Sequence, residues 1–150
     1  MEKGQATVFR FNPEVDKKYH YETHEFPFVQ GMSVLDVALY IYENIDPTFT
    51  FSYSCSNSHC GLCAAKINGR PGLMCRESAT PKLRLEPLDN LQVIRDLMVD
   101  RSEYDQNLDN LRLFLDRIKP PEKEPERIDL RDHDRFKVAS RCVEIGRAHV

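Results

Sequence analysis

From Ala6 to Asn12 polar and apolar residues partly alternate, and after Pro13 the alternation resumes from Lys18 to Phe26 through Tyr19, Tyr21, Thr23 and Phe26. The pattern predicts a β-hairpin with a longer turn around Asn12 to Asp16. At Ser33 the period lengthens. Val34, Ala38, Ile41 and Ile45, with Leu35, Leu39 and Tyr42, form one wide apolar face, and Ser33 followed three positions on by Asp36 has the form of an N-cap, so a helix is predicted over 33–45. Thr48 to Tyr53 is β-branched and aromatic and predicts a short strand that delivers the chain to Cys55. Asn68-Gly69, flanked by Ala64–Ile67 and Arg70–Met74, is the signature of a two-residue hairpin, whose ladder Pro71 and Gly72 should make imperfect. Leu83–Glu86 and the apolar Val93–Val99, separated by the turn-like Pro87-Leu88-Asp89-Asn90, add further strands. Together these elements predict a mixed sheet with a helix on one face, an α+β domain over residues 1–100.

Beyond Asp100 the character changes. Leu108, Leu111, Leu115 and Ile118 recur at helical spacing and predict a helix over 101–118. Lys119-Pro-Pro-Glu-Lys-Glu-Pro-Glu126 is charged and proline-rich and cannot hold regular structure, and a charged, proline-rich linker is expected over 119–135. Nothing repeats internally.

Composition narrows the function classes. A chain of 150 residues, 41% apolar and 30% charged, falls in the soluble globular range. Its net charge of -3, from 21 basic and 24 acidic residues, gives no global field for nucleic acid, which is not an expected partner. The longest apolar stretch, Val34 to Ile45, is broken by Asp36, Glu43 and Asn44 and is far short of the roughly 20 residues that a bilayer requires. No direct membrane span is expected. No apolar export core or small-residue cleavage site follows Met1, so the chain is expected in the cytoplasm.

Five cysteines stand at 55, 60, 63, 75 and 142, an odd number in a chain with no export signal. That argues for metal or redox chemistry rather than a disulfide framework. The first four are spaced C-x4-C-x2-C-x11-C, and C-x4-C-x2-C is the plant-type ferredoxin signature for a [2Fe-2S] cluster. Gly61 would let the backbone approach that cluster and take a positive φ. The hairpin register places the fourth ligand: if Ile67 opposes Arg70, Cys63 opposes Met74 and Cys75 lies beside Cys63. Cys55, Cys60, Cys63 and Cys75 are therefore the expected ligands. Zinc is the alternative, but zinc sites favour paired short spacings, and only Cys60 and Cys63 form such a pair. His59 invites comparison with a Rieske centre, but the two Cys-x-His elements of such a centre are absent, so it reads as a solvent-facing loop residue. Ser54 and Ser56 could donate hydrogen bonds to sulfur or simply meet solvent.

No nucleophile paired with a base, no phosphate-cradling glycine loop and no paired acid and base stand out, so a one-electron carrier is expected and no catalytic residue is assigned. Asp96, Asp100 and Glu103 read as a solvated face near a strand end.

The cysteine loop resembles those of two families, the small iron-sulfur subunits of molybdenum hydroxylases and the iron-sulfur subunits of succinate dehydrogenase and fumarate reductase. The flanking residues separate them. Leu85-Glu-Pro-Leu-Asp-Asn-Leu-Gln-Val-Ile-Arg-Asp-Leu-Met-Val-Asp100 and Asn68-Gly-Arg-Pro-Gly-Leu-Met-Cys75 closely resemble segments of the second family. The resemblance covers roughly residues 6–144. It implies a β-grasp ferredoxin-like domain holding [2Fe-2S], then a helix, a linker and the stub of a helical ferredoxin module at 136–144, with Cys142 as that module's first ligand. It implies [4Fe-4S] and [3Fe-4S] clusters only in a full-length protein. The implied function is that of an electron-carrier subunit of a succinate:quinone or quinol:fumarate oxidoreductase, not its catalytic subunit. The implied partners are a flavoprotein subunit and membrane-anchor subunits, which would place the chain peripherally at the inner membrane. A stand-alone ferredoxin or a molybdenum-hydroxylase subunit is the alternative. Glu144 to Val150 shares nothing with the family and matches a translated sequencing-adapter string, so residues 145–150 are expected to be an artefact of a truncated gene record.

Overall fold

The computed structural model describes residues 2–110 and 129–139. They fall into two compact units, one running from residue 2 to Asp100 and the other containing the described residues from Arg101 onward. In the first unit, strands β1 (Glu2–Arg10) and β2 (His20–Phe28) pair antiparallel from Glu2↔Phe28 to Arg10↔His20. The turn closes through amides of Val15 and Asp16 donating to the Asn12 carbonyl. This hairpin is longer than its alternation suggests, because Gly4 lies under the Phe26 ring. A Cβ at Gly4 would stand 2.4 Å from that ring, so glycine extends the strand by making room for an aromatic partner.

Helix α1 (Val34–Asn44) starts as expected, with Ser33 and Asp36 each accepting the other's backbone N–H. Its next free amides are satisfied by another part of the chain: Val34 donates to the Glu77 carbonyl and Leu35 to that of Met74. The helix start therefore grips the residues on either side of Cys75. Val34, Leu35, Val37, Ala38 and Ile41 are buried, whereas Tyr42 and Ile45, expected on the same face, are exposed.

Strands β3 (Ala64–Ile67), β4 (Arg70–Leu73) and β5 (Lys82–Glu86) complete a five-stranded sheet of order β2-β1-β5-β3-β4, with β1 and β5 parallel and the other pairs antiparallel. Ala6, Val8, Leu83, Leu85, Ala65 and Ile67 are buried with the α1 face, Phe26, Phe49 and Met74. This is the α+β, ferredoxin-like class expected. The β3–β4 ladder is regular throughout, contrary to the expectation from Pro71 and Gly72. Pro71 opposes Lys66, a non-hydrogen-bonded pair of a two-residue hairpin, on the edge strand of the sheet, so its missing N–H leaves no ladder bond unmade.

Three other expectations are corrected. Residues 48–53 are not a strand. Val93–Val99 is not one run but a small hairpin, β6 (Val93–Arg95) and β7 (Met98–Val99), with Asp96 left-handed at its turn. Asp96 is not on a solvated face; it is 1% exposed. One cause underlies all three. The Asp96 carboxylate accepts the amides of Phe11 (2.9 Å) and Thr50 (2.8 Å), and Leu97 N–H donates to the Thr50 carbonyl, so the bonds that a strand at 48–53 would give a neighbour go to this turn. Arg10, also buried, lies 3.3 Å from Asp96, pairs with Asp46 and donates to Thr48 Oγ1 at 2.8 Å.

The second unit contributes α2 (Ser102–Asn110), with Arg101 over the Tyr104 ring, and α3 (Leu130–Ala139). Of the helix expected over 101–118, residues 111–118 lie outside the described residues, as do 119–128 of the expected linker and 140–150 of the module start and tail. Residues 130–135 of the expected linker are helical: the prolines end at Pro125, and the Asp129 side chain caps the helix by accepting the Arg131 amide at 2.8 Å.

Removing a partner from a buried ion pair costs about 3–5 kcal/mol, whereas exposed pairs contribute about 1 kcal/mol or less. Asp96→Ala should therefore lower unfolding stability in urea by about 3 kcal/mol, softened by the Asp46 partner that Arg10 keeps, and Lys3→Ala, which breaks the exposed Lys3–Glu25 pair, should cost under about 1 kcal/mol. Equal, small losses in the two variants would contradict the role assigned to Asp96.

Candidate metal centre

The segment held by Asp96 leads directly into the cysteine loop. Ser56 and Ser58 both adopt left-handed backbone, with φ of 49° and 59°, and this alternation turns successive amides to the same side. The amides of Asn57 (3.4 Å), His59 (3.4 Å) and Cys60 (3.3 Å) all donate to Cys55 Sγ. Three N–H groups on one sulfur form a cradle for negative charge. Those bonds hold the exposed Cys55 thiol well below its ordinary value, at about 6. Gly61 has the positive φ expected of it, 69°, and its carbonyl accepts the Ala64 amide as the chain turns into β3.

The other pair of thiols meets through the hairpin. Ile67 opposes Arg70, and beyond the strand ends Met74 N–H donates to the Cys63 carbonyl at 3.0 Å, which brings Cys75 beside Cys63. A backbone hydrogen bond from Cys75 reaches the Cys63 sulfur. Burial pushes the Cys63 thiol up to about 11, and the neighbouring Cys75 and Cys60 add to the shift. Cys63 is 3% exposed, so its thiolate needs a cation close by. Ser58 Oγ reaches across from the first loop to lie 4.0 Å from Cys75 Sγ. In the sequence Ser54 and Ser56 read either as donors to sulfur or as solvated loop residues; Ser58 does not stand out there, because only the left-handed turn brings its hydroxyl across. His59 is exposed, as expected of a loop residue, and takes part through its backbone N–H.

The four thiols are free; Cys55 interacts most directly with Cys60 and Cys63 with Cys75, and Cys60 also acts on Cys63. Among the described residues no three His, Cys, Asp or Glu side chains converge as a single ion would need. A [2Fe-2S] core makes a different demand, two thiolates on each of two irons, and both the pairing and the amide cradle suit it.

Residues 5–106 match the family of 2Fe-2S iron-sulfur cluster binding domains. The chain belongs to that family. Among its relatives, the fumarate reductase iron-sulfur subunit of Haemophilus influenzae is 32% identical over 72% of this chain and 43% of its own length. The subunit of the same name from Mycobacterium tuberculosis is 34% identical over 95% of this chain and 60% of its own length. The mitochondrial succinate dehydrogenase iron-sulfur subunit of Dictyostelium discoideum is 37% identical over 65% of this chain and 36% of its own length. A chain of the Mycobacterium smegmatis Sdh1 complex in the apo form superposes with a TM-score of 0.66 and 27% identity, over 95% of this chain and 60% of that one. The resemblance seen in the flanking residues is thus borne out. This 2Fe-2S domain chain spans between about a third and three fifths of the length of these relatives.

In the metal-free 2Fe-2S domain, iodoacetamide at pH 7 should modify Cys55 first, with a rate that falls as the pH drops through about 6, and Cys63 last, gaining reactivity only toward pH 11. Peptide mapping of the labelled chain measures the order; equal rates for the two thiols would contradict the amide cradle.

Proposed function

We propose that Cys55, Cys60, Cys63 and Cys75 hold a [2Fe-2S] cluster and that the chain is the electron-relay iron-sulfur subunit of a succinate dehydrogenase or fumarate reductase complex. In this reading a flavoprotein subunit performs the dicarboxylate chemistry. When bound, the cluster takes up and returns one electron at a time. The chain's own residues make that exchange possible: the amides of Asn57, His59 and Cys60 balance charge on the Cys55 sulfur, the β3–β4 hairpin fixes Cys75 beside Cys63, and burial of Cys63 keeps water from that side.

The observation that carries the complex-subunit reading is the character of the surface around the site. Residues 47–65 contain no Asp, Glu, Lys or Arg, in a chain that is 30% charged. Tyr53 and Leu62 are exposed within this stretch, and Tyr42 is exposed and in edge contact with Phe51. Lasting interfaces have cores depleted in charge and enriched in aromatic residues, whereas carriers that meet partners briefly are steered by charged patches. The uncharged, aromatic first-loop side of the site, set against the exposed Arg76 and Glu77 that follow Cys75 on the other side, supports a permanent subunit over a stand-alone ferredoxin. No helix among the described residues is long and apolar enough to cross a membrane. In this reading membrane-anchor subunits hold the complex at the inner membrane. The implied [4Fe-4S] and [3Fe-4S] clusters are assigned to the remainder of a full-length protein.

The test is coexpression with the flavoprotein encoded in the same genome. The cluster-bearing chain should copurify with it at low salt and at about 1 M salt, where the Debye length is about 3 Å, and succinate added to the complex should produce the EPR signal of a reduced [2Fe-2S] cluster. An association that dissolves with salt, or a cluster that the flavoprotein never reduces, would contradict the proposal.

A further inference from the structure

The two halves of the site are served by different donors. The three inward amides of the first loop are committed to Cys55, at the exposed end. Cys75 arrives from the other stretch of chain, past the β3–β4 hairpin, and the group that spans the gap to it from the first loop is the Ser58 hydroxyl. Ser58 stands in left-handed backbone, where glycine rests at no steric cost and an L-residue is strained. Ser56 has the same left-handed backbone two positions earlier, so it supplies an internal comparison: the same strain without the cross-loop contact.

Building on the ligand assignment above, we propose that Ser58 is a positioning residue for the cluster, its hydroxyl donating to the Cys75 sulfur so as to tie the two ligand stretches together and raise the cluster's reduction potential. A thiolate carries no proton, so with iron bound the direction of the bond is fixed and Ser58 is the donor. Adding an electron increases the negative charge on the sulfurs. A donor aimed at one of them stabilises the reduced form more than the oxidised form, and hydrogen bonds to sulfur are among the groups that set such potentials. The backbone amides perform this service for Cys55 irrespective of side chain. On Cys75 a side chain performs it, so a single substitution can remove it.

The experiment is an EPR-monitored dithionite titration of the cluster-bearing chain, with iron and sulfide content measured on each sample. Ser58→Ala and Ser58→Gly should keep their iron and sulfide but shift the ratio of reduced to oxidised cluster, at a fixed applied potential, downward by up to about tenfold, which is about 59 mV for one electron. Ser56→Gly, which relaxes the same kind of backbone without touching a sulfur, should leave the potential unchanged. If Ser58→Ala loads poorly, Ser58→Gly carries the comparison, because it removes the hydroxyl and the strain together. Wild-type potential in both Ser58 variants would overturn the proposal, and so would an equal fall in Ser56→Gly, which would trace the effect to loop relaxation. Failure of the wild-type chain to take up iron and sulfide would instead refute the ligand assignment on which this inference rests.

Discussion

Cys63 and Cys75 are well separated in sequence and must end side by side, and the two-residue turn at Asn68-Gly69 is what brings them there. Asn68 and Gly69 both have positive φ, the conformation that matches the twist of the flanking strands and allows only one pairing. A slip of one residue would turn Ala65 and Ile67 out of the core and move Cys75 away from Cys63. The register is secured a second time by α1, whose first amides hold the Met74 and Glu77 carbonyls. Helix capping, hairpin geometry and core packing thus converge on one short stretch.

The other wall of the site depends on charge buried on purpose. Asp96 and Arg10 sit where burial is costly, and the cost is offset because their bonds fix several backbone segments: the end of β1 through Phe11, the segment before the cysteine loop through Thr50, and the residues after α1 through Asp46 and Thr48, while Glu22 on β2 lies 3.7 Å from Arg10. The loop that wraps the thiols has no regular structure of its own and few apolar side chains to anchor it. An ionic knot at its entrance does what a sheet ladder would do elsewhere.

Much of this was legible in the sequence because the signals were local. The Ser33–Asp36 box, the period-two strands, the Asn-Gly turn and the cysteine spacing each involve residues within one element or one turn of each other. What the sequence left unread was long-range. Asp96 looked like one acid among several near a strand end, and nothing local tells that it will meet Arg10 and Thr50 across the fold. Residues 48–53 have strand composition, yet their backbone partners are a side chain and a turn. Ser58 lay among the neighbouring serines of one loop, and only its backbone conformation and its reach distinguish it as the one facing Cys75. Residues 130–135 were overshadowed by the prolines before them, although Asp129 is a competent cap.

Cys55 interacts with Cys60, and Cys63 with Cys75 and more weakly with Cys60, an arrangement that suits the two irons of a [2Fe-2S] core. The most direct measurement is the metal and acid-labile sulfide content of the purified full chain, taken together with that of Cys75→Ser. Two irons and two sulfides are expected in the wild type, and a lost or distorted cluster with a less stable domain in the variant. One zinc and no sulfide in the wild type, or unchanged iron, sulfide and visible spectrum in Cys75→Ser, would contradict it.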